Sequence, residues 1–294
     1  MTDGFLRYRG NGTTRDGQPA RTPGEEGAYI ADDELVAAVN TALAVEQPLL
    51  VTGDAGTGKT VLAHSIAAEL EMGPVEVFPV RSDNQGRDLL YEFDNLQRFY
   101  DAQTQNERAR DRANYLTYGA LGRAFQSAQP RLVLIDEVDK APRDFPNDLL
   151  YALDRMELRI PELERAVPAV KRPVVVITSN RESQLPDPFL RRCVFHHIER
   201  PDGPRLLRIL EQRLGHLRLA ERLRDRIVAR FLELREMDGL QKRPSTSEML
   251  SWARVLHRAG VAAEALDGPL AATPFPGAMI KTREDMDRVK QKTR

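Results

Sequence analysis

Residues 53–60 read Gly53-Asp54-Ala55-Gly56-Thr57-Gly58-Lys59-Thr60, and few short segments restrict a fold so strongly. The glycines let the backbone turn tightly, so that successive N–H groups point into one concavity. A helix starting near Gly58 adds its positive end, and the loop then suits a polyphosphate. Lys59 reaches the β- and γ-phosphates, and the Thr60 hydroxyl is a ligand for Mg²⁺. Nucleotide contacts are expected along Gly53, Asp54, Ala55, Gly56, Thr57, Gly58, Lys59, Thr60 and Val61. The flanks agree with this. Pro48 to Thr52 is an apolar run of the buried-strand type. Ala63, Ile66, Ala67 and Leu70 recur on one helical face, and Gly73-Pro74 ends it.

Further along, the same alternation continues. Asp32-Asp33 caps a helix carrying Leu35, Val36, Val39 and Leu43, and Val75 to Val80 reads as a strand. Leu132 to Ile135 and Val174 to Ile177 are short apolar runs, hence buried strands, and Cys193 to Ile198 is a last one. Leu121, Ala124, Phe125 and Ala128 mark one core-facing helix, and Phe145, Leu149, Ala152, Leu153 and Met156 another. Residues 157–172 suit a hairpin. After Pro201 only helical patterns remain: Leu223, Ile227, Phe231 and Leu234 form one stripe. Ser245-Thr246-Ser247-Glu248 is a capping box opening a helix with Met249, Trp252, Ala253 and Leu256. Strands alternating with helices, then helices alone, predict a parallel α/β domain plus a small helical domain. The expected divisions are an arm over 1–27, an α/β domain over 28–200, a helical domain over 201–265 and a tail with a short charged helix over 266–294. The arm is read as untethered, with Phe5, Leu6 and Tyr8 as the residues able to dock. Within the α/β domain, 81–118 is polar apart from a short patterned piece around Leu89-Leu90-Tyr91 and Phe93, and reads as an exposed insertion or a helix with a polar face, not core.

Composition excludes several classes. The formal net charge is −1, so no global field draws the chain to nucleic acid or membrane. A single cysteine, Cys193, rules out an intrachain disulfide. No stretch has the roughly 20 apolar residues of a membrane span, and the N-terminus lacks a signal-peptide core. The expected home is the cytoplasm.

Asp136-Glu137 closes the strand beginning at Leu132. A carboxylate at the carboxyl end of a buried strand lies beside the phosphate loop in an open α/β sheet. Asp136 is therefore expected to hold Mg²⁺, and Glu137 to act as general base toward water. Asn180 ends the next buried strand, where its amide can place that water. Arg191-Arg192 precedes the last strand, and a guanidinium there can stabilise transition-state charge. Cys193, His196 and His197 alternate along a strand, which favours a structural role over a metal site.

Together these residues resemble the AAA+ ATPases and, within them, the MoxR-like branch. The resemblance spans roughly residues 28–262. It is carried by Gly53–Thr60, Leu132–Glu137 with Val138-Asp139-Lys140-Ala141-Pro142, Ile177–Asn180 and Leu185–Arg192. It implies an AAA+ P-loop core with a helical lid, using ATP and Mg²⁺. Asn180 would be sensor 1. Arg192, or Arg191 as runner-up, would be a finger inserted into a neighbour's site, in a homo-oligomeric ring that is usually hexameric. Two features depart from the family. Ser247 stands where a second-sensor Arg is usual, with Arg243 upstream as the substitute. The stretch 81–118 is also long, as in relatives whose insertions there touch substrate. The implied work is assembly or remodelling of a client protein, often one with a von Willebrand A domain. The alternative is a nucleic-acid-linked component of a defence or restriction-type system, acting through 81–118 or the Arg-rich stretch 205–230. The absence of an Asn-Lys-x-Asp motif favours ATP over GTP.

Overall fold

The computed structural model describes residues 6–20, 29–142, 144–180 and 185–291. They fall into two compact units. The first takes the described residues of Met1–Ala20, Ala31–Thr52 and Lys59–His197; the second takes those of Arg21–Ile30, Gly53–Gly58 and Ile198–Arg294.

The elements run α1 (Asp33–Val45), β1 (Leu49–Gly53), α2 (Lys59–Glu69), β2 (Glu76–Pro79), α3 (Gly86–Leu90), β3 (Tyr91–Phe93), α4 (Asn95–Gln103), β4 (Leu116–Tyr118), α5 (Ala120–Gln126), β5 (Leu132–Asp136), α6 (Phe145–Arg155), β6 (Glu157–Ile160), β7 (Arg165–Pro168), β8 (Val174–Ser179), α7 (Asp187–Leu190), β9 (Val194–Ile198), α8 (Gly203–Leu214), α9 (Glu221–Arg235), α10 (Thr246–Arg258) and α11 (Arg283–Gln291). Five strands form one sheet in the order β2-β5-β8-β1-β9. The pairs β2–β5, β5–β8 and β1–β8 are parallel. β1 is buried throughout and β5 nearly so, which explains their unbroken apolar runs. Because the pairs are parallel, β1, β5 and β8 all present their carboxyl ends on one edge. That edge is where the candidate catalytic residues gather.

Helix α1 is capped by the Asp32 carboxylate, which accepts from Leu35 N at 2.8 Å. Helix α2 buries Leu62, Ala63, Ile66 and Ala67. A first core joins Leu50, Val133, Ile135 and Ile177 to Phe125, Phe145, Leu149 and Phe189. The expected hairpin is β6–β7, in antiparallel register. In the second unit, Leu206, Leu210, Ile227, Phe231, Met249, Trp252 and Leu256 make a separate core. The capping box of α10 is present, with Ser245 and Glu248 satisfying each other's backbone donors. No helix among the described residues is long and apolar enough to cross a membrane.

Three expectations need correction. Residues 6–20 are not an untethered arm. Tyr8 is 0% exposed; its hydroxyl meets Ser65 Oγ at 3.1 Å, and its backbone exchanges two bonds with Asn40. The Glu69 carboxylate accepts from Arg9, Gly10 and Gly12 backbone nitrogens at 3.1, 3.0 and 2.7 Å. A polar segment is thus tied down by its own buried ring, Tyr8, set against Ser65 of α2, and by the buried Glu69 carboxylate of α2. Phe5 lies outside the described residues.

The stretch 81–118 is only partly an exposed insertion. Leu89, Tyr91, Phe93 and Tyr115 enter the first core, while α4 leaves Leu96, Phe99 and Tyr100 80%, 62% and 61% exposed. Residues 266–291, expected as a tail with a short helix, carry α11 and pack into the second core. Leu266, Met279, Ile280 and Val289 belong to the second core, and Trp252 Nε1 donates to the Pro274 carbonyl at 2.8 Å. Asp285 accepts from the Gln241 and Lys242 nitrogens at 2.8 and 3.1 Å, and these bonds hold its carboxyl below the usual range although burial opposes them.

Candidate nucleotide site

In the first unit, β5 and β8 run in register from Leu132↔Val174 to Ile135↔Ile177, so Asp136 comes level with Thr178. The Thr178 hydroxyl donates to Asp136 Oδ1 at 2.6 Å and accepts from Glu137 N at 2.8 Å. Thr178 is fully buried, so one hydroxyl fixes both carboxylate-bearing residues. From α2, Thr60 Oγ1 reaches the same carboxylate at 3.0 and 3.3 Å. Lys59, 7% exposed, places Nζ 2.9 Å from Asn180 Oδ1. Asn180 N in turn donates to Asp139 Oδ1 at 2.9 Å.

Glu137 has φ 61°, the left-handed region that side chains rarely occupy and that clusters at functional sites. The turn carries its carboxylate to Lys140, with which it forms a short ion pair. That hydrogen bond, opposed by burial, raises the Lys140 ammonium above its ordinary value. Glu137 is therefore engaged with Lys140.

Oxygen donors suit a hard cation, and Thr60 with Asp136 offers a hydroxyl and a carboxylate already within bonding reach of each other. The donor set fits Mg²⁺ in a nucleotide complex.

Arg192 does not join this group. It follows α7, and its Nε donates to Asp154 Oδ2 at 3.0 Å and Oδ1 at 3.2 Å. Arg191 is exposed at the C-cap of α7. His197 Nδ1 pairs with Thr52 Oγ1 at 2.9 Å. Burial pushes the Cys193 thiol up to about 12.

The loop residues Gly53–Gly58 are described with the second unit. Gly53, Gly56 and Gly58 have φ 144°, 78° and 95°, backbone that a side chain would strain. A Cβ on Gly56 would also lie 2.6 Å from Ser245 Cβ, and one on Gly53 would lie 2.8 Å from the Ile198 carbonyl oxygen. The loop closes on itself through Thr57 Oγ1, which donates to the Asp54 carbonyl at 2.9 Å. Lys59, Thr60 and Val61 form the first turn of α2.

A cavity of about 330 Å³ in this unit is lined by Asp54–Thr57, Arg200, Arg235, Arg243 and Ser245, among others. Arg200 forms a short ion pair with Asp54, which raises its guanidinium. Arg235 donates to the Pro201 carbonyl at 2.8 Å. Burial first, then the like charges of Arg200 and Arg243, lower the Arg235 guanidinium against the pulls of Glu236 and Asp202. No carboxylate among the described residues pairs with Arg243.

The sequence reading missed Thr178, Lys140, Arg200 and Arg235. Thr178 had a signal, since it is the first polar residue after four apolar ones in β8. The arginines had none, because Arg200 before α8 and Arg235 at the end of α9 come together only through folding.

A parallel sheet with helices around it, a glycine loop entering α2 and carboxylates at the end of β5 fit a P-loop NTPase core. Residues 48–193 match the model of the AAA domain, dynein-related subfamily, and this match supports an AAA+ ATPase. No curated protein matches the chain significantly. Among solved structures, the chain is similar to a Thermotoga maritima RuvB mutant. The identity is 14% and the TM-score 0.50, over 92% of this chain and 73% of that one. It also aligns with the FIGL-1 AAA domain in complex with ADP at 16% identity and TM-score 0.40, over 84% and 72% of the two chains. The first likeness concerns the fold alone.

Proposed function

We propose that this protein hydrolyses ATP with Mg²⁺ as a ring-forming, cytoplasmic AAA+ ATPase of the MoxR type, and that turnover drives remodelling or assembly of a client protein. The observation that carries the reading is the cluster in the first unit: Lys59 on Asn180, Thr60 on Asp136, and Thr178 bracing Asp136 and Glu137. Lys59 exchanges Asn180 for the β- and γ-phosphates when ATP binds along Gly53–Val61. Asn180, released, orients the attacking water. Glu137 leaves Lys140 and accepts the water proton. Thr60 and Asp136 hold Mg²⁺, which when bound neutralises charge on the phosphates. Arg243 is the proposed substitute for the second-sensor arginine.

Arg192 is engaged away from Lys59, Thr60 and Asp136, which supports a role toward a neighbouring copy rather than its own site. That role needs a closed oligomer, and a hexameric ring is the proposed form. The client contact is assigned to 81–118, where Leu96, Phe99 and Tyr100 stand exposed on α4; a von Willebrand A domain is the proposed type of partner. The nucleic-acid alternative draws less support from the Arg-rich stretch. Arg222, Arg224, Arg226 and Arg230 are paired with Glu264, Glu211, Asp267 and Glu233.

The test mixes Arg192→Ala subunits with Glu137→Gln subunits. Each alone is expected to be inactive, and mixed rings regain part of the Mg²⁺-dependent phosphate release. Mixed rings that form, shown by size and mass, yet release no phosphate would refute action in trans.

A further inference from the structure

Two protein groups grip Arg192. Its Nε shares the Asp154 carboxylate, and its Nη1 donates to the Pro188 carbonyl at 2.9 Å. Nη2 donates to nothing among the described residues, so its two hydrogens remain for an incoming anion. Both anchors adjoin buried residues: Leu153 precedes Asp154 and Phe189 follows Pro188, and both belong to the first core. The guanidinium is therefore fixed to a rigid base while 43% of the side chain stays exposed.

Neither the helix nor overall stability accounts for Asp154. It sits in the last turn of α6, where the helix dipole disfavours a carboxylate. The pair is nearly half exposed on both sides, and exposed pairs contribute little to stability. What the pair does achieve is orientation. A guanidinium already held through one nitrogen and part of a second loses less freedom when it grips a phosphate with the rest.

We propose that Asp154 is the positioning residue of Arg192, holding its guanidinium ready for the terminal phosphate of a nucleotide bound to the neighbouring copy. The proposal rests on the reading of Arg192 given above. Asp154 itself touches no reacting atom, and acts by fixing where Arg192 points.

The test is a double-mutant cycle on the assembled protein, with kcat and KM for MgATP measured beside the melting temperature. Arg192→Ala should lower kcat by at least about 100-fold, as loss of such an arginine does. Asp154→Asn should lower kcat about tenfold, the scale of one charge-assisted hydrogen bond. KM and melting temperature should stay unchanged, and Asp154→Glu should recover part of the loss. In the Arg192→Ala background Asp154→Asn should cost nothing more. If Asp154→Asn leaves kcat intact, or costs the same factor in both backgrounds, the positioning role is overturned while the Arg192 reading survives. If Arg192→Ala itself leaves kcat unchanged, the underlying reading falls and the proposal falls with it.

Discussion

At the carboxyl ends of β5 and β8 the charged and polar side chains of the candidate site already have protein partners, whereas the cavity of the second unit gathers three arginines around one carboxylate. Lys59 rests on Asn180, Thr60 and Thr178 on Asp136, and Glu137 on Lys140. By contrast Arg200, Arg235 and Arg243 line a space in which Asp54 is the lining carboxylate. The groups of the first arrangement are paired with one another, so each must exchange a partner in order to act. The second carries like charges that crowd each other, and an anion would relieve them. The fully buried Thr178 hydroxyl fixes Asp136 and Glu137 in place, which suits the strand ends. A cationic cavity focuses the field on a ligand, which suits the second unit.

Substitutions can break this contrast or sharpen it. The largest effect is expected at the strand ends. Glu137→Gln should lower turnover by about 10²–10⁴-fold, the usual worth of a general base, while ATP affinity stays the same. Ordinary phosphate release by this variant would remove Glu137 from its role.

In the cavity, Arg235→Ala should weaken binding of a polyphosphate anion there by about 10–100-fold, as loss of a charged hydrogen bond does. Arg243→Ala should weaken it less, because Arg243 is exposed and its charge is screened. The reverse order in a titration of the two variants would return the main role to Arg243, the residue that sequence alone singles out.

Thr178→Val keeps the side-chain shape and removes the brace on Asp136 and Glu137. It should cost about 1–3 kcal/mol of stability, the penalty for buried groups left unpaired, read by chemical denaturation. No loss would mean that the strand ends are not held as a network. The smallest effect concerns Cys193. With its thiol raised to about 12 by burial, the folded protein keeps it protonated at pH 8–9, where an unfolded cysteine begins to ionise. Labelling by a thiol reagent at pH 8 should be slow and should accelerate on unfolding; equal rates in both states would contradict the burial.

The parts legible in the sequence are those governed by local pattern. The apolar runs of β1, β5 and β8, the cap at Asp32 and the box at Ser245 and Glu248 each follow from a few neighbouring residues. The glycine loop and Asp136-Glu137 were also readable, because their chemistry demands those residue types at fixed places. What stayed hidden depends on distant partners. A single buried ring at Tyr8 outweighs the polar composition of its surroundings, since burying such a side chain contributes roughly 1.5–3 kcal/mol. Residues 266–291 look like a tail until Trp252 and Asp285 find their partners there. The cluster of Arg200, Arg235 and Arg243 draws on three separate segments, and no spacing announces it.

The central claim is that ATP binds at Lys59, Thr60 and the residues facing them at the strand ends. Calorimetric titration of MgATP into the native protein and into Lys59→Ala tests it most directly. The account predicts saturable binding by the first and loss of affinity by at least about 100-fold in the second, since Lys59 supplies the charge that meets the phosphates. Equal affinity in the two proteins would contradict it.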